Sequence, residues 1–402
     1  MEHIVVIGGG QAGSSLVARL RTAGFEGAIT LVCGEAVPPY QRPPLSKAYL
    51  LGEMEEARLY LRPESFYAEK DIALRLGSPV VAIDRAAKTV TLEDGVLPYD
   101  QLALTTGSVP RRLPAAMGGN LGGVYEVRNL LDVGRMQPAF GPGKRALIVG
   151  GGYIGLEAAA VAAKLGVEVT LVEMAPRILQ RVAAPETSDY FRELHRAHGV
   201  DIREGLGLET LLGDEQVSGA RFSDGSEIAV DFVIVGVGIA PDAALAEAAG
   251  LAVDNGIVVD GQGRTSDPAI WAAGDCATFP RNGQMIRLES VQNAIDQAEL
   301  VADNMLGAGR DYDPMPWFWS DQYDVKLQIA GLNTGYDRVV VRKGDDGALS
   351  HWYYAGDTLL AVDAMNDSRN YMIGKRLIEA GKSPSPEQIT DPATNMKALL
   401  RQ

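Results

Sequence analysis

The sequence predicts an α/β protein built from one unit used twice, with a smaller α+β domain behind it. Two observations carry this reading. Two segments repeat each other feature by feature, and the composition changes near Asp313-Pro314-Met315-Pro316. A length of 402 residues fits, since ~150 residues per domain gives two to three domains.

The first segment runs Val6-Ile7-Gly8-Gly9-Gly10-Gln11-Ala12-Gly13, an Ala/Leu-rich stretch, Gly24, and Ile29-Thr30-Leu31-Val32. The second runs Ile148-Val149-Gly150-Gly151-Gly152-Tyr153-Ile154-Gly155, an Ala-rich stretch, Gly166, and Val169-Thr170-Leu171-Val172. β-Branched runs suit strands, Ala-rich stretches suit helices, and Gly24 and Gly166 suit helix C-termini. Each segment continues into a hairpin signal with an Asp-Gly turn, at Asp94-Gly95 and Asp224-Gly225. Each then returns as an apolar strand ending in Gly and Pro, Leu102 to Gly107 and Phe232 to Gly238. A helix is predicted over Ser290–Leu306. Beyond Pro316, β-rich runs over 326–330, 338–342, 349–354 and 359–365, and a helix over 370–380, form the α+β domain. Ser383-Pro384-Ser385-Pro386 reads as a linker to a short last helix.

A single G-x-G-x-x-G is weak evidence of anything. Here both copies follow an apolar strand, open a helix, and precede an acid near the end of the next strand. The first glycine makes the turn, the second lets backbone approach a pyrophosphate, and the third lets helix and strand pack closely. The helix N-terminus stabilises the phosphate charge. Two such turns imply two dinucleotides and two Rossmann-like three-layer dinucleotide-binding domains. Gly8, Gly10, Ala12 and Gly13 of the first turn, and Gly150, Gly152 and Gly155 of the second, are candidate cofactor-binding residues. Glu173 ends its strand 23 residues past Gly150 and suits an unphosphorylated ribose, favouring NADH over NADPH; Arg177 and Arg181 lie nearby in sequence. Glu35 comes slightly late after its strand, and reads as a ribose ligand or a solvated loop residue.

Composition excludes several classes. The net charge of −15 argues against nucleic acid or an anionic membrane as partner. Two cysteines, Cys33 and Cys276, make neither a disulfide framework nor a metal site. No signal peptide or spanning run is evident, so the expected setting is cytoplasmic. The four histidines are scattered. His195 and His198, three apart on a predicted helix, read as surface residues, and no metal site is expected.

Four motifs then carry a resemblance over nearly the whole chain: Tyr40-Gln41-Arg42-Pro43-Pro44-Leu45-Ser46-Lys47, Gly155-Leu156-Glu157, Thr265 through Ala273-Gly274-Asp275, and Pro316-Trp317-Phe318-Trp319-Ser320-Asp321-Gln322. The chain resembles the FAD- and NADH-dependent ferredoxin reductases of the putidaredoxin reductase type. On residue type alone, Lys47 is an exposed loop lysine, Glu157 a first-turn glutamate on the helix dipole, and Asp275 a buried structural acid. The resemblance implies instead that Lys47 sits at the flavin N5 edge, that Glu157 pairs with it near the nicotinamide, and that Asp275 accepts a hydrogen bond from the ribityl chain. It also implies FAD contacts at Arg42, Val80, Arg128 and Val291, and a nicotinamide side lined by Gly236 and Gly238. The active-site cysteines of related disulfide reductases have no counterpart beside Leu45-Ser46.

The implied organisation is a discontinuous FAD-binding domain, 1–108 and 241–316, an NAD-binding domain, 109–240, and a C-terminal domain, 317–402. The implied reaction is hydride transfer from NADH to FAD, then single-electron transfers to a 2Fe–2S ferredoxin feeding an oxygenase. Trp319 is the expected electron exit and docking residue, and Trp317 reads as inter-domain core. Residues 317–402 hold 10 Lys/Arg against 11 Asp/Glu, the part least repulsive to an acidic ferredoxin. Arg338, Arg342, Lys343, Arg369, Lys375 and Arg376 are its candidate contacts. Two alternatives stay open: a sister reductase using rubredoxin, monodehydroascorbate or a quinone, and a slow redox-sensing flavoprotein like apoptosis-inducing factor.

Overall fold

The computed structural model describes residues 2–401, which gather into two compact units. Of these, the first comprises 2–42, 54–109 and 239–314, and the second 43–53, 110–238 and 315–401.

The first unit is centred on a five-stranded parallel sheet in the order Ile270–Ala272, Gln101–Leu104, His3–Ile7, Ala28–Val32, Ile72–Arg75. Its central strand is apolar on both faces because both are covered. Ile4 and Val6 pack with Leu16, Leu20 and Val301 of the helices Gln11–Thr22 and Val291–Met305. Val5 and Ile7 point the other way, against Val90 and Leu92 of a three-stranded meander. Helices, sheet and meander make the three layers. The meander hairpin turns at Glu93-Asp94, not at Asp94-Gly95, because Gly95 is already paired with Leu92.

The second unit repeats this build. Its parallel sheet runs Asp201–Glu204, Glu168–Glu173, Arg145–Val149, Phe232–Val235, Val124–Tyr125, with its own three-stranded meander. The same unit holds a five-stranded antiparallel sheet in the order Trp317–Gln322, Val325–Gly331, Thr358–Met365, Leu349–Ala355, Arg338–Lys343. The helix Ser368–Glu379 lies on this sheet so closely that a methyl on Gly374 would meet Val362 at 2.7 Å. Two short helices, Pro386–Thr390 and Met396–Leu399, follow the linker rather than one. Trp317–Gln322, read from sequence only as a motif, is the edge strand of that sheet, in keeping with the β preference of Trp and Phe. Segment 43–53 gathers with this unit for a physical reason: Lys47 pairs with Glu157, and the Leu50 carbonyl accepts from Gln137.

A buried polar cluster fastens the helix Pro185–Ala197 to the antiparallel sheet. Thr187 donates to Asp363 at 2.9 Å and therefore accepts from His351 Nδ1 at 2.7 Å. Tyr353 donates to the same Asp363 oxygen and accepts from the Ala184 N–H. His195 of this helix is also fully buried, which corrects its reading as a surface residue; His198 is exposed as expected. Burial pushes His195 and His351 down to about 4 and Asp363 up to about 6. The signs oppose each other. A histidine depressed on folding contributes stability present above its unfolded value, near 6.5, and lost as pH falls toward 4. A raised carboxyl contributes stability that grows as pH falls through 6. Asp363 thus offsets part of the histidine loss. Asp363→Asn is expected to lose stability more steeply between pH 6.5 and pH 5 than wild type does, read as unfolding free energy against pH. Parallel profiles would contradict this.

Candidate active site

The two glycine turns have matching stereochemistry. Gly8 has φ +118°, and a methyl on it would lie 2.2 Å from the Thr105 carbonyl oxygen. Gly150 has φ +107°, and its methyl would lie 2.4 Å from the Gly236 carbonyl oxygen. A methyl on Gly13 or Gly155 would lie about 2 Å from the carbonyl oxygen of Gly8 or Gly150 respectively, so each helix packs directly on its turn. Gly10 and Gly152 differ: a methyl on either would meet no protein atom within 4 Å. These two glycines face open space at the N-termini of 12-residue helices. Neither helix has a capping side chain or an acid in its first turn. Bare N–H groups, a helix dipole and a backbone open to close approach fit a pyrophosphate at each turn.

Around the first turn, Ala12 is buried where the first helix meets Gly274. Glu35 is held by Arg42 at 2.6 Å and by the Tyr40 hydroxyl at 2.6 Å, so it is a fixed carboxylate rather than a free loop acid. Asp275 follows Gly274, whose φ is +85°, and accepts from Ser108 at 3.0 Å. Val80 is half-buried on the meander, and Val291 is the first residue of a helix capped by Ser290. Gln297 lies six residues further along that helix. Its Oε1 accepts the Gly274 N–H at 2.8 Å, a support for the Asp275 turn that the sequence reading missed.

Around the second turn, Glu173 accepts from the N–H of Gly151 and of Ala175, each at 2.7 Å. Arg177 is drawn away to Ser188 Oγ at 2.5 Å, and the Arg181 guanidinium lies against Gly238, whose φ is +100°. Met174, next to Glu173, is 79% exposed, an apolar platform that nothing in its sequence context singled out. Arg128 directly precedes Asn129, the cap of the helix Leu130–Met136.

Glu157 is the fifth residue of its helix, not a first-turn residue, and is buried. Lys47 Nζ lies 3.0 Å from its Oε1. Ser320 donates to the same oxygen at 2.7 Å and Ser46 to Oε2 at 2.9 Å. Both serines stood inside recognised motifs without an assigned role. The pleat of Trp317–Gln322 explains the motif: Phe318, Ser320 and Gln322 share the face that meets Tyr153, Glu157 and His195. Trp317 and Trp319 share the other face, their rings 5.8 Å apart, with Lys375 Nζ 5.2 Å from the Trp317 ring. Arg342 is buried and bonded to the carbonyls of Ile389 and Asp391, which removes it from the candidate docking residues.

Both cysteines are buried free thiols, and burial pushes Cys33 up to about 12 and Cys276 upward. Among the described residues no group of His, Cys, Asp and Glu could hold a metal ion, and no helix is long and apolar enough to cross a membrane.

Residues 2–298 match the family described as pyridine nucleotide-disulphide oxidoreductase, and residues 317–400 the one described as reductase C-terminal. The chain belongs to the pyridine nucleotide-disulphide oxidoreductase family. It is an FAD- and pyridine-nucleotide-dependent oxidoreductase of that family. It is 42% identical to the 5,5'-dehydrodivanillate O-demethylase ferredoxin reductase subunit of a Sphingobium species, over 99% of each chain. It is also 42% identical to rhodocoxin reductase of Rhodococcus erythropolis, over 99% of this chain and 94% of the other. Among solved structures it is similar to a chain of the covalent putidaredoxin reductase–putidaredoxin complex, with TM-score 0.96 and 40% identity over 100% of this chain and 98% of the other. A family member with the two thiols found here cannot pass electrons to an internal dithiol, since both are buried singly.

The purified protein is therefore expected to be yellow, with one non-covalent FAD per chain. A colourless protein whose added FAD shows no spectral change would contradict the assignment of the first turn.

Proposed function

We propose that the protein is a cytoplasmic NADH-dependent ferredoxin reductase that supplies electrons to an oxygenase. One observation carries the reading: two glycine turns, each shaped to fit a pyrophosphate, stand in a chain without an accessible thiol, so electrons from a bound nicotinamide would have to leave a bound flavin for an outside acceptor. The name of the ferredoxin reductase subunit to which it is 42% identical, over 99% of each chain, supports a ferredoxin, expected to be of the 2Fe–2S type, as that acceptor. Free buried thiols suit a reducing compartment.

Gly8, Gly10, Ala12 and Gly13 would hold the FAD pyrophosphate, with Glu35, Arg42, Val80, Arg128, Asp275 and Val291 along the rest of the cofactor. Gly150, Gly152 and Gly155 would hold that of NADH, with Glu173 on the ribose and Gly236 and Gly238 on the nicotinamide side. When bound there, FAD would supply the conversion of a two-electron hydride from NADH into single-electron transfers, chemistry that no side chain can provide. Lys47 supplies a fixed positive charge for the reduced flavin, and Glu157 holds its ammonium in place. Ser46 and Ser320 keep that carboxylate aimed and hydrogen-bonded.

Trp319 is the proposed electron exit and docking anchor, a large rigid surface with one N–H donor. Trp319→Ala is expected to lower ferredoxin reduction at least about tenfold, ~1.4 kcal/mol, and to leave NADH-driven ferricyanide reduction nearly unchanged. Equal losses would reassign Trp319 to packing. Steady-state NADH oxidation with ferredoxin, rubredoxin, monodehydroascorbate and quinone tests the function. Ferredoxin is expected to give the highest kcat/KM, and slow turnover with all four would favour a redox-sensing role.

A further inference from the structure

Glu157 stands at one end of a buried hydrogen-bonded chain that runs away from Lys47 toward the surface. Ser320 Oγ lies 2.7 Å from Glu157 Oε1, and Gln322 Nε2 lies 3.2 Å from Ser320 Oγ. His195 Nε2 lies 2.8 Å from Gln322 Oε1, and the Tyr323 hydroxyl lies 3.2 Å from His195 Nδ1. Ser320, Gln322 and His195 are each fully buried. The outer end is clamped: Tyr323 is stacked on His198 at 3.7 Å and held in the left-handed region at φ +56°. A bulky residue adopts that conformation only where its surroundings impose it.

One carboxylate settles every proton in this chain. An ionised Glu157 can only accept, so Ser320 donates to it. The Ser320 oxygen then accepts from the Gln322 amide, which leaves the Gln322 carbonyl to accept from His195. His195 must therefore carry its proton on Nε2, and its bare Nδ1 accepts the Tyr323 hydroxyl. Four donors point the same way and end on the oxygen that faces Lys47. Reversing any one would set two donors or two lone pairs against each other in a dry interior, where unpaired polar groups are most costly. Burial pushes the His195 ring down to about 4, in keeping with a neutral ring.

We propose that His195, through Gln322 and Ser320, is a positioning residue for the Lys47–Glu157 pair, fixing Glu157 Oε1 as an ionised acceptor for the ammonium. This rests on the reading that the pair serves the flavin. The strand that carries Ser320 and Gln322 also carries Trp319.

Gln322→Glu tests the proposal with almost no change of shape. A carboxylate at 322 accepts from both neighbours, so the Ser320 hydroxyl turns away from Glu157. In the holoenzyme labelled with 15N-histidine, His195 is expected as the neutral Nε2–H tautomer, and in Gln322→Glu as the doubly protonated ring. In stopped-flow reduction by NADH, Gln322→Glu is expected to lower the limiting rate about tenfold with the Kd for NADH unchanged. In a Glu157→Gln background the same change is expected to cost nothing further, because the carboxylate it acts through is gone. A neutral Nδ1–H tautomer in the wild type, or an equal loss in both backgrounds, would overturn the proposal. A wild-type rate in Glu157→Gln alone would overturn the reading of the pair. The tautomer owes nothing to the flavin and reports on the chain separately.

Discussion

Lys47→Ala is expected to slow reduction of the bound flavin by NADH by about 100-fold or more, ~3 kcal/mol of barrier, while FAD stays bound. The size follows from the setting of the ammonium. Lys47 is 19% and Glu157 6% exposed at the side chain, so the pair interacts with little water between or around it. Removing the lysine withdraws the positive charge and leaves a buried carboxylate held by the Ser46 and Ser320 hydroxyls. Glu157→Ala is expected to cost less, about tenfold, because the lysine keeps its charge and loses only its fixed direction. Stopped-flow rates measured at saturating NADH read both directly. If both variants stay within about threefold of wild type, less than ~1 kcal/mol is at stake and the assignment of the pair is wrong.

NADH is expected to be preferred over NADPH by at least about 100-fold in kcat/KM, a few kcal/mol. Glu173 is pinned between two backbone N–H groups at the end of its strand, so it cannot swing aside for a phosphate. The two cations that could have answered that phosphate are directed elsewhere. Arg177 is committed to Ser188, and Arg181 lies against Gly238. Comparable kcat/KM values for the two nucleotides would show that these arginines, not Glu173, govern the ribose pocket.

The duplicated architecture was legible because its signals are local. A glycine that needs φ above +100°, a helix that must start at once, and a strand ending in an acid leave marks within ~25 residues of one another. The charged cluster was half legible. Lys47 and Glu157 entered by resemblance, whereas Ser46, Ser320 and Gln322 lay inside the same motifs without a role, since a serine's partner is set by folding rather than by spacing. His195 was misread for the same reason. On a helix of mixed polarity a histidine reads as solvent-facing, and its partner, Gln322, lies 127 residues away on a strand the sequence did not announce. Arg342 looked like a docking cation, yet its guanidinium ties down the C-terminal segment through backbone carbonyls, which carry no residue-type signal.

The central claim is that electrons pass from NADH through a bound flavin to a one-electron ferredoxin without a thiol intermediate. Anaerobic mixing tests it most directly. One equivalent of NADH is added to the yellow protein, and an oxidised 2Fe–2S ferredoxin is then added in excess. NADH is expected to bleach the flavin band and ferredoxin to restore it, with two ferredoxins reduced per NADH and unchanged kinetics in a Cys33→Ser, Cys276→Ser variant that retains FAD. A flavin that NADH does not bleach, or that stays bleached in the presence of ferredoxin, would contradict it.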